Sequence, residues 1–257
     1  MLTRTQKLEF YENGYLKIPG AVPKLMVDQA RKAINHSVGN VGMHDPDPEK
    51  FRQKALCREL TNTPVITDLF NKTPVLGLLE SLLGEGNVKT VGNGQIAIRF
   101  PQPLDEEPGV PRGHLDGLGN GTNGMAKGVY RRGFTAFAVI YLADVPEPNC
   151  GNFTVRPGTH RFFEDYFKKE GHEVLGNGMP KIDLPAEPVQ VTGNAGDIVL
   201  AHHLLVHCGG PNVSPDIRYA AIFRPRHVDC ETNGYNAYTD IWREWPGIQE
   251  ALEEEKG

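Results

Sequence analysis

The tripeptide His114-Leu115-Asp116, followed by His207 and, eleven residues further on, by Arg218, constrains this chain more than any other feature. Side chains on a strand alternate faces, so residues i and i+2 point the same way. At the end of a strand, His114 and Asp116 would reach one metal ion together while Leu115 turns into the packing. Two imidazoles and one carboxylate can occupy one face of an octahedral ion and leave three positions open, an arrangement suited to non-heme Fe(II). Arg218, at its offset beyond the second histidine, adds a place for a carboxylate beside the metal, because guanidinium matches carboxylate geometry bidentately.

An H-x-D triplet alone says little in a chain with nine histidines, and a second one occurs at His227-Val228-Asp229. No histidine follows Asp229, so that copy cannot open an H-x-D…H set, and Asp229 reads as a surface or turn residue. His207 ends the apolar run from Asp197 to Val206, which reads as one buried strand opened by the turn Asn194-Ala195-Gly196-Asp197. Residues 209–216 have the composition of a loop, and Arg218 opens a further strand through Arg224. A hairpin of this kind would return Arg218 beside the strand that carries His207.

The segment from His207 to Arg218 resembles the H-x4-N-x-S-x3-R element of the phytanoyl-CoA dioxygenase-like family, with Asn212 and Ser214 in place. Upstream, Gly151-Asn152-Phe153-Thr154-Val155-Arg156-Pro157-Gly158-Thr159-His160 resembles that family's "G-x-L-x-x-x-P-G-S-H" element, and Asn13-Gly14-Tyr15-Leu16-Lys17-Ile18-Pro19-Gly20 its usual start. The matches run in family order over about residues 5 to 226. The resemblance implies a mainly β protein with flanking helices, built on a double-stranded β-helix (a jelly-roll, cupin-like barrel). It also implies Fe(II) as metal, with 2-oxoglutarate and O2 as co-substrates.

Carried over residue by residue, His114, Asp116 and His207 would hold iron, and Arg218 would pair with the distal carboxylate of 2-oxoglutarate. Arg99 and Gln95, on the strand Gln95–Phe100, are the candidates for the other end of the co-substrate. The chain departs from the family at two places. Gly209 stands two residues past the distal histidine, where Ser is common, and Val139 or a neighbour stands where a Trp is common. Halogenases of this family replace the carboxylate of the triad with a small residue. The chain keeps Asp116, so the resemblance implies hydroxylation, or a related desaturation or cyclisation, with release of succinate and CO2. The alternatives are a redox-inert cupin-like isomerase or epimerase, against which Arg218 weighs, and a non-catalytic binding protein, which would be expected to have lost a ligand.

Composition agrees with one enzyme domain over residues 1–257: a helical N-terminal part to about residue 85, a barrel core over about 86–226 and an extension from 227 to 257. A net charge of −5 gives no reason to expect nucleic acid or an anionic membrane surface. The four cysteines are scattered without a C-x-x-C pair, which points neither to zinc nor to a disulfide framework. The first residues lack an apolar targeting segment and no stretch is long enough to span a bilayer, so a cytoplasmic location is expected.

Val27, Ala30 and Ile34 mark an amphipathic helix, and Thr63-Pro64 and Thr73-Pro74 each place a capping residue before Pro at the first helical position. Strand-like runs follow, and helices first with strands after argue for an α-flanked barrel. Residues 116–133 carry six glycines and read as irregular, either a mobile flap over the metal or an ordinary long surface loop. If its Lys127, Arg131 and Arg132 face inward, they favour an anionic substrate. His203 shares strand parity with His207 and could line the same pocket, whereas His202 should face away. His160 suggests a turn or cap, and His36, His44 and His172 suggest surface positions. The substrate expected is a small metabolite, polar or anionic.

Overall fold

The computed structural model describes residues 1–40, 56–119 and 126–253. Helix α1 (Arg4–Asn13) opens on a capping box between Thr3 and Gln6 and ends at Gly14, whose φ of 76° closes the helix and releases the chain into β1 (Tyr15–Ile18). Helix α2 (Lys24–Asn40) buries Val27, Ala30 and Ile34, as their period requires. Helices α3 (Pro64–Asn71) and α4 (Pro74–Leu83) both begin at the expected Thr-Pro steps. Thr73 caps its helix by accepting from the Val75 amide, while the Thr63 hydroxyl donates to the Leu60 carbonyl instead.

Strands β2 (Gln95–Arg99), β3 (Ala136–Tyr141), β6 (Ile198–His202) and β8 (Arg218–Phe223) join β1 in an antiparallel sheet of order β1-β6-β3-β8-β2. A second sheet has the order β5-β4-β7, from β4 (Phe153–Val155), β5 (Val189–Val191) and β7 (His207–Gly209). Alternation sorts the large sheet into two faces. Ile96, Ile98, Ala138, Ile140, Leu200 and Phe223 pack on α2, α3 and α4, while Phe137, Val139, Tyr141 and Ala201 pack on Phe153, Val155 and Val191 of the second sheet. Because both faces of β3 are covered, it reads as an unbroken apolar run and every residue in it is buried. The two sheets and the flanking helices are the double-stranded β-helix expected from the sequence.

Helix α5 (Thr159–Glu170) follows β4, and the chain closes through α6 (Cys230–Asn233) and α7 (Pro246–Glu253). Helix α7 lies against α1, where Arg4 Nε donates to the Ala251 carbonyl at 3.1 Å and Lys7 pairs with Glu250 at 3.8 Å. Among the described residues no helix is long and apolar enough to cross a membrane.

Two sequence expectations change here. The run from Asp197 to His207 is not one strand: β6 ends at His202, the chain turns through His203–Leu205, and β7 belongs to the other sheet. For the same reason β7 and β8 do not form a hairpin, and Arg218 faces the His207 strand from the opposite sheet. A hydrophobic run records burial but not which sheet receives it.

His160 is neither turn nor cap. It sits inside α5, fully buried, with Nε2 3.0 Å from the Tyr11 carbonyl, and its ring lies 5.5 Å from that of His202. His202 in turn stacks on Trp245, away from the barrel interior. Burial lowers the pKa of His160 to about 3 and holds His202 and His203 well below the ordinary histidine value. In each case the unfolded chain binds the proton better than the folded one. Their contribution is therefore complete above about pH 6.5 and is lost as the pH falls from there towards the folded values. Between pH 7.5 and 5.0, His160 alone should cost ~2 kcal/mol of unfolding free energy, with the other two adding to it. Urea denaturation at the two pH values measures this, and an unchanged midpoint would contradict it.

Candidate metal centre

The three sequence-predicted donors meet at the mouth of the barrel. The His114 Nε2 atom lies 3.2 Å from Asp116 Oδ1, and His207 Nε2 lies 3.8 Å from the same oxygen. All three donor atoms fall within 4.8 Å of one another, and they are the one such group of His, Cys, Asp or Glu among the described residues. His114 is placed by a two-way backbone bridge to His207, its amide donating at 2.9 Å and its carbonyl accepting at 3.1 Å. Gly113 permits that approach. Its φ is 74°, and a Cβ there would sit 2.6 Å from Val206. His114 is thus an isolated bridge residue on the second sheet, and Asp116 lies in the bend after it, rather than both closing a regular strand.

His207 is buried, and its Nδ1 lies 2.9 Å from the Leu205 carbonyl. That contact assigns the proton to Nδ1 and leaves the Nε2 lone pair facing Asp116. Burial lowers its pKa to about 4 despite the attraction of Asp116, so the ring is neutral at pH 7 and able to donate to a metal. Burial pushes the Asp116 carboxyl up, but His114, His207 and Arg224 together outweigh it and hold the group far below the usual carboxylate range. The His114 side chain is 56% exposed, so the centre is reached from its side. Two imidazoles and one anionic oxygen, with solvent at one flank, fit a divalent first-row ion that keeps exchangeable positions.

Arg224 was not among the sequence candidates. Its Nε donates to Asp116 Oδ2 at 2.7 Å, its Nη1 donates to Gln95 Oε1 at 2.8 Å, and its guanidinium lies 5.5 Å from the Phe137 ring centre. With Oδ2 held by Arg224, only Oδ1 faces the histidines, so the carboxylate is set to bind through one oxygen. Partners of this kind typically carry 10–100-fold in metal affinity. Arg224→Ala is expected to weaken Fe(II) binding by roughly that factor, read by metal titration, while Arg224→Lys should lose less. An Arg224→Ala protein with unchanged affinity would remove this role.

The remaining candidates divide between two ends of the barrel. Gln95 lies at the metal end, through its contact with Arg224. Arg99 lies at the far end, opposite Arg218 in the β2–β8 register. Burial, together with the nearby Arg99, pulls the pKa of Arg218 down to about 10, which leaves it charged at neutral pH. Beside the metal end a groove of about 200 Å³ is lined by Thr61, Asn93, Gln95, Ile222 and Arg224. On the other side of Asp116, His203 does line a small cavity, with Leu115, Phe134 and Tyr238.

The glycine-rich stretch after Asp116 is more regular than its composition suggests. Leu118 bridges Tyr130, Gly119 N donates to the Val129 carbonyl, and Arg131 N donates to the Gly117 carbonyl, so residues 117–119 pair with 129–131; residues 120–125 and His44 lie outside those described. Lys127 and Arg131 are exposed. Arg132 is buried and pairs with Glu244, and it borders the small cavity beside Asp116. His172 is not free on the surface either, because its Nδ1 meets the Tyr130 hydroxyl at 2.8 Å.

A model of the phytanoyl-CoA dioxygenase (PhyH) family matches residues 10–220, a span that reaches from α1 into β8 and contains all three donors. The chain belongs to the phytanoyl-CoA dioxygenase family. Solved structures carry the same fold: HygX from Streptomyces hygroscopicus with nickel, 2-oxoglutarate and hygromycin B bound is 18% identical over 88% of each chain, with a TM-score of 0.52. The non-heme monooxygenase ThoJ is 18% identical over 86% of this chain and 77% of its own, with a TM-score of 0.58. SnoK, a non-heme alpha ketoglutarate dependent carbocyclase from nogalamycin biosynthesis, is 21% identical over 87% and 83%, with a TM-score of 0.51. No curated protein sequence matches the chain. The matched span includes the three side chains that converge, His114, Asp116 and His207, and also Arg218.

Proposed function

We propose that this protein is an Fe(II)- and 2-oxoglutarate-dependent dioxygenase that hydroxylates a small metabolite and releases succinate and CO2. The observation that carries the reading is the convergence of His114 Nε2, Asp116 Oδ1 and His207 Nε2 at one end of a barrel whose other end holds Arg218. When bound, iron would supply a binding point for the 2-oxo acid and for O2, and so the oxidation of a substrate C–H bond coupled to decarboxylation of the co-substrate.

The protein's own residues set the rest. His207 stays neutral because it is buried and anchored to a carbonyl, and the carboxylate stays ionised because Arg224 and the imidazoles surround it. Arg218, buried and charged, fixes the direction in which a dicarboxylate can enter, with its distal end away from the metal. Gln95, at the metal end, is placed to touch the near end. The donors that Asn93, Gln95 and Arg224 bring to the groove favour a substrate that offers hydrogen-bond acceptors, including a carboxylate. HygX, which shares the fold, has been solved with the natural product hygromycin B, and a small natural product in the cytoplasm is the substrate we favour.

The test is anaerobic addition of Fe(II) and then 2-oxoglutarate, followed through a visible metal-to-ligand charge-transfer band. The band should form in the native protein. With Arg218→Ala, half-saturation should need on the order of 100-fold more 2-oxoglutarate, the scale of a buried charged pair lost from one side. Iron that binds without producing a band would point instead to redox-inert chemistry on the same barrel.

A further inference from the structure

We propose that Arg99 is the second arm of a carboxylate clamp, so that Arg99 and Arg218 together grip the distal carboxylate of the 2-oxo acid over Gly209. This rests on the co-substrate reading above, and it makes the site selective for a 2-oxo dicarboxylate.

The two arginines are direct partners in the β2–β8 register. Each spends two of its three guanidinium nitrogens on backbone carbonyls. Arg218 Nε donates to Gly151 at 2.7 Å and Nη1 to Ala97 at 2.8 Å. Arg99 Nε donates to Gly210 at 3.0 Å and Nη2 to Gly209 at 3.1 Å. The nitrogens left over are Arg218 Nη2 and Arg99 Nη1, and among the described residues neither has an acceptor.

Both spare nitrogens approach the same point. A Cβ built on Gly209 would lie 3.5 Å from Arg218 Nη2 and 3.9 Å from Arg99 Nη1. The backbone bonds hold both guanidinium planes in place, so this convergence does not depend on two flexible side chains meeting by chance. Among the described residues no Asp or Glu pairs with either group, which leaves two like charges close together, Arg218 in the interior and Arg99 half-buried beside it. That arrangement is unfavourable unless an anion comes between them. A carboxylate has lone pairs enough for both arms. The absent side chain at position 209, where relatives often carry Ser, leaves the space open, and the second guanidinium replaces the hydroxyl as donor.

The experiment measures affinity through the charge-transfer band of the Fe(II) protein, anaerobically, for 2-oxoglutarate and for 2-oxobutyrate, which lacks the distal carboxylate. Arg99→Gln should weaken 2-oxoglutarate about 10- to 100-fold, the range for a charge-assisted hydrogen bond, and leave 2-oxobutyrate within about twofold. Arg99→Lys keeps the charge but not the fork, and should fall between. Equal weakening of both acids in Arg99→Gln would mean that Arg99 acts on the near end or on the fold, and would overturn the clamp. So would unchanged 2-oxoglutarate affinity. Should Arg99→Gln fail to fold, the Arg99→Lys ratio between the two acids decides in the same way. A native protein that binds neither acid would instead defeat the co-substrate reading, and the clamp with it.

Discussion

His207→Ala is expected to abolish Fe(II) binding and all 2-oxoglutarate turnover, the largest single loss this chain offers. The ring is buried between Phe137, Phe153 and His114, at centroid distances of 4.4, 5.6 and 4.8 Å, and its far nitrogen is anchored to the Leu205 carbonyl. Alanine removes a donor already locked in position and leaves Asp116 facing one imidazole. Loss of a group that merely orients a ligand costs 10–100-fold in metal affinity, so loss of the ligand itself should exceed that range. Isothermal titration with Fe(II) under nitrogen reads the effect directly. Thermal melting of the metal-free variant separates it from the cavity that alanine leaves behind. Micromolar iron affinity retained in a folded His207→Ala protein would remove this residue from the site.

The second large effect lies away from the metal. Arg132 and Glu244 form a buried ion pair, and the carboxylate also accepts from Thr135 at 2.7 Å and Asn233 at 2.9 Å. The pair joins the foot of the Leu118–Tyr130 bridge to the C-terminal segment. Glu244→Ala leaves a guanidinium buried without a counter-charge, and should destabilise the fold by roughly 3–5 kcal/mol. Replacing both partners with apolar residues of similar volume, as in Arg132→Met with Glu244→Leu, should cost far less than the single change. For a chain of this length the single variant should melt about 10 °C or more below the native protein, by calorimetry. Near-equal melting of the single and double variants would show that the pair carries little.

What the sequence disclosed followed the range of each interaction. His114 and Asp116 are legible because their two-residue spacing is local, and the caps at Thr63-Pro64 and Thr73-Pro74 sit next to the turns they start. His207 and Arg218 were singled out through a motif rather than through geometry: His207 does meet His114 and Asp116, while the hairpin inferred between His207 and Arg218 does not form, because the intervening loop crosses from one sheet to the other. Arg224 was missed because its partner Asp116 lies 108 residues away. A signal did exist, since Arg224 keeps the strand parity of Arg218 and so had to face the same interior. Arg132 was weighed as a substrate contact because Glu244, the residue that claims it, comes 112 positions later.

The contact between α1 and α7 has a consequence for how the chain could be rearranged. Arg4 and Ala251 touch, so the two ends of the described chain could be tied by a short linker with little distortion. The loop that carries the fully exposed Leu104 and the exposed Val110 contains no strand or helix, and offers a place to cut. In such a permutant β1 would be made after β6, the strand it pairs with, instead of long before it. Synthesis order and packing order would then agree for this pair, and the barrel edge would no longer have to wait for its partner.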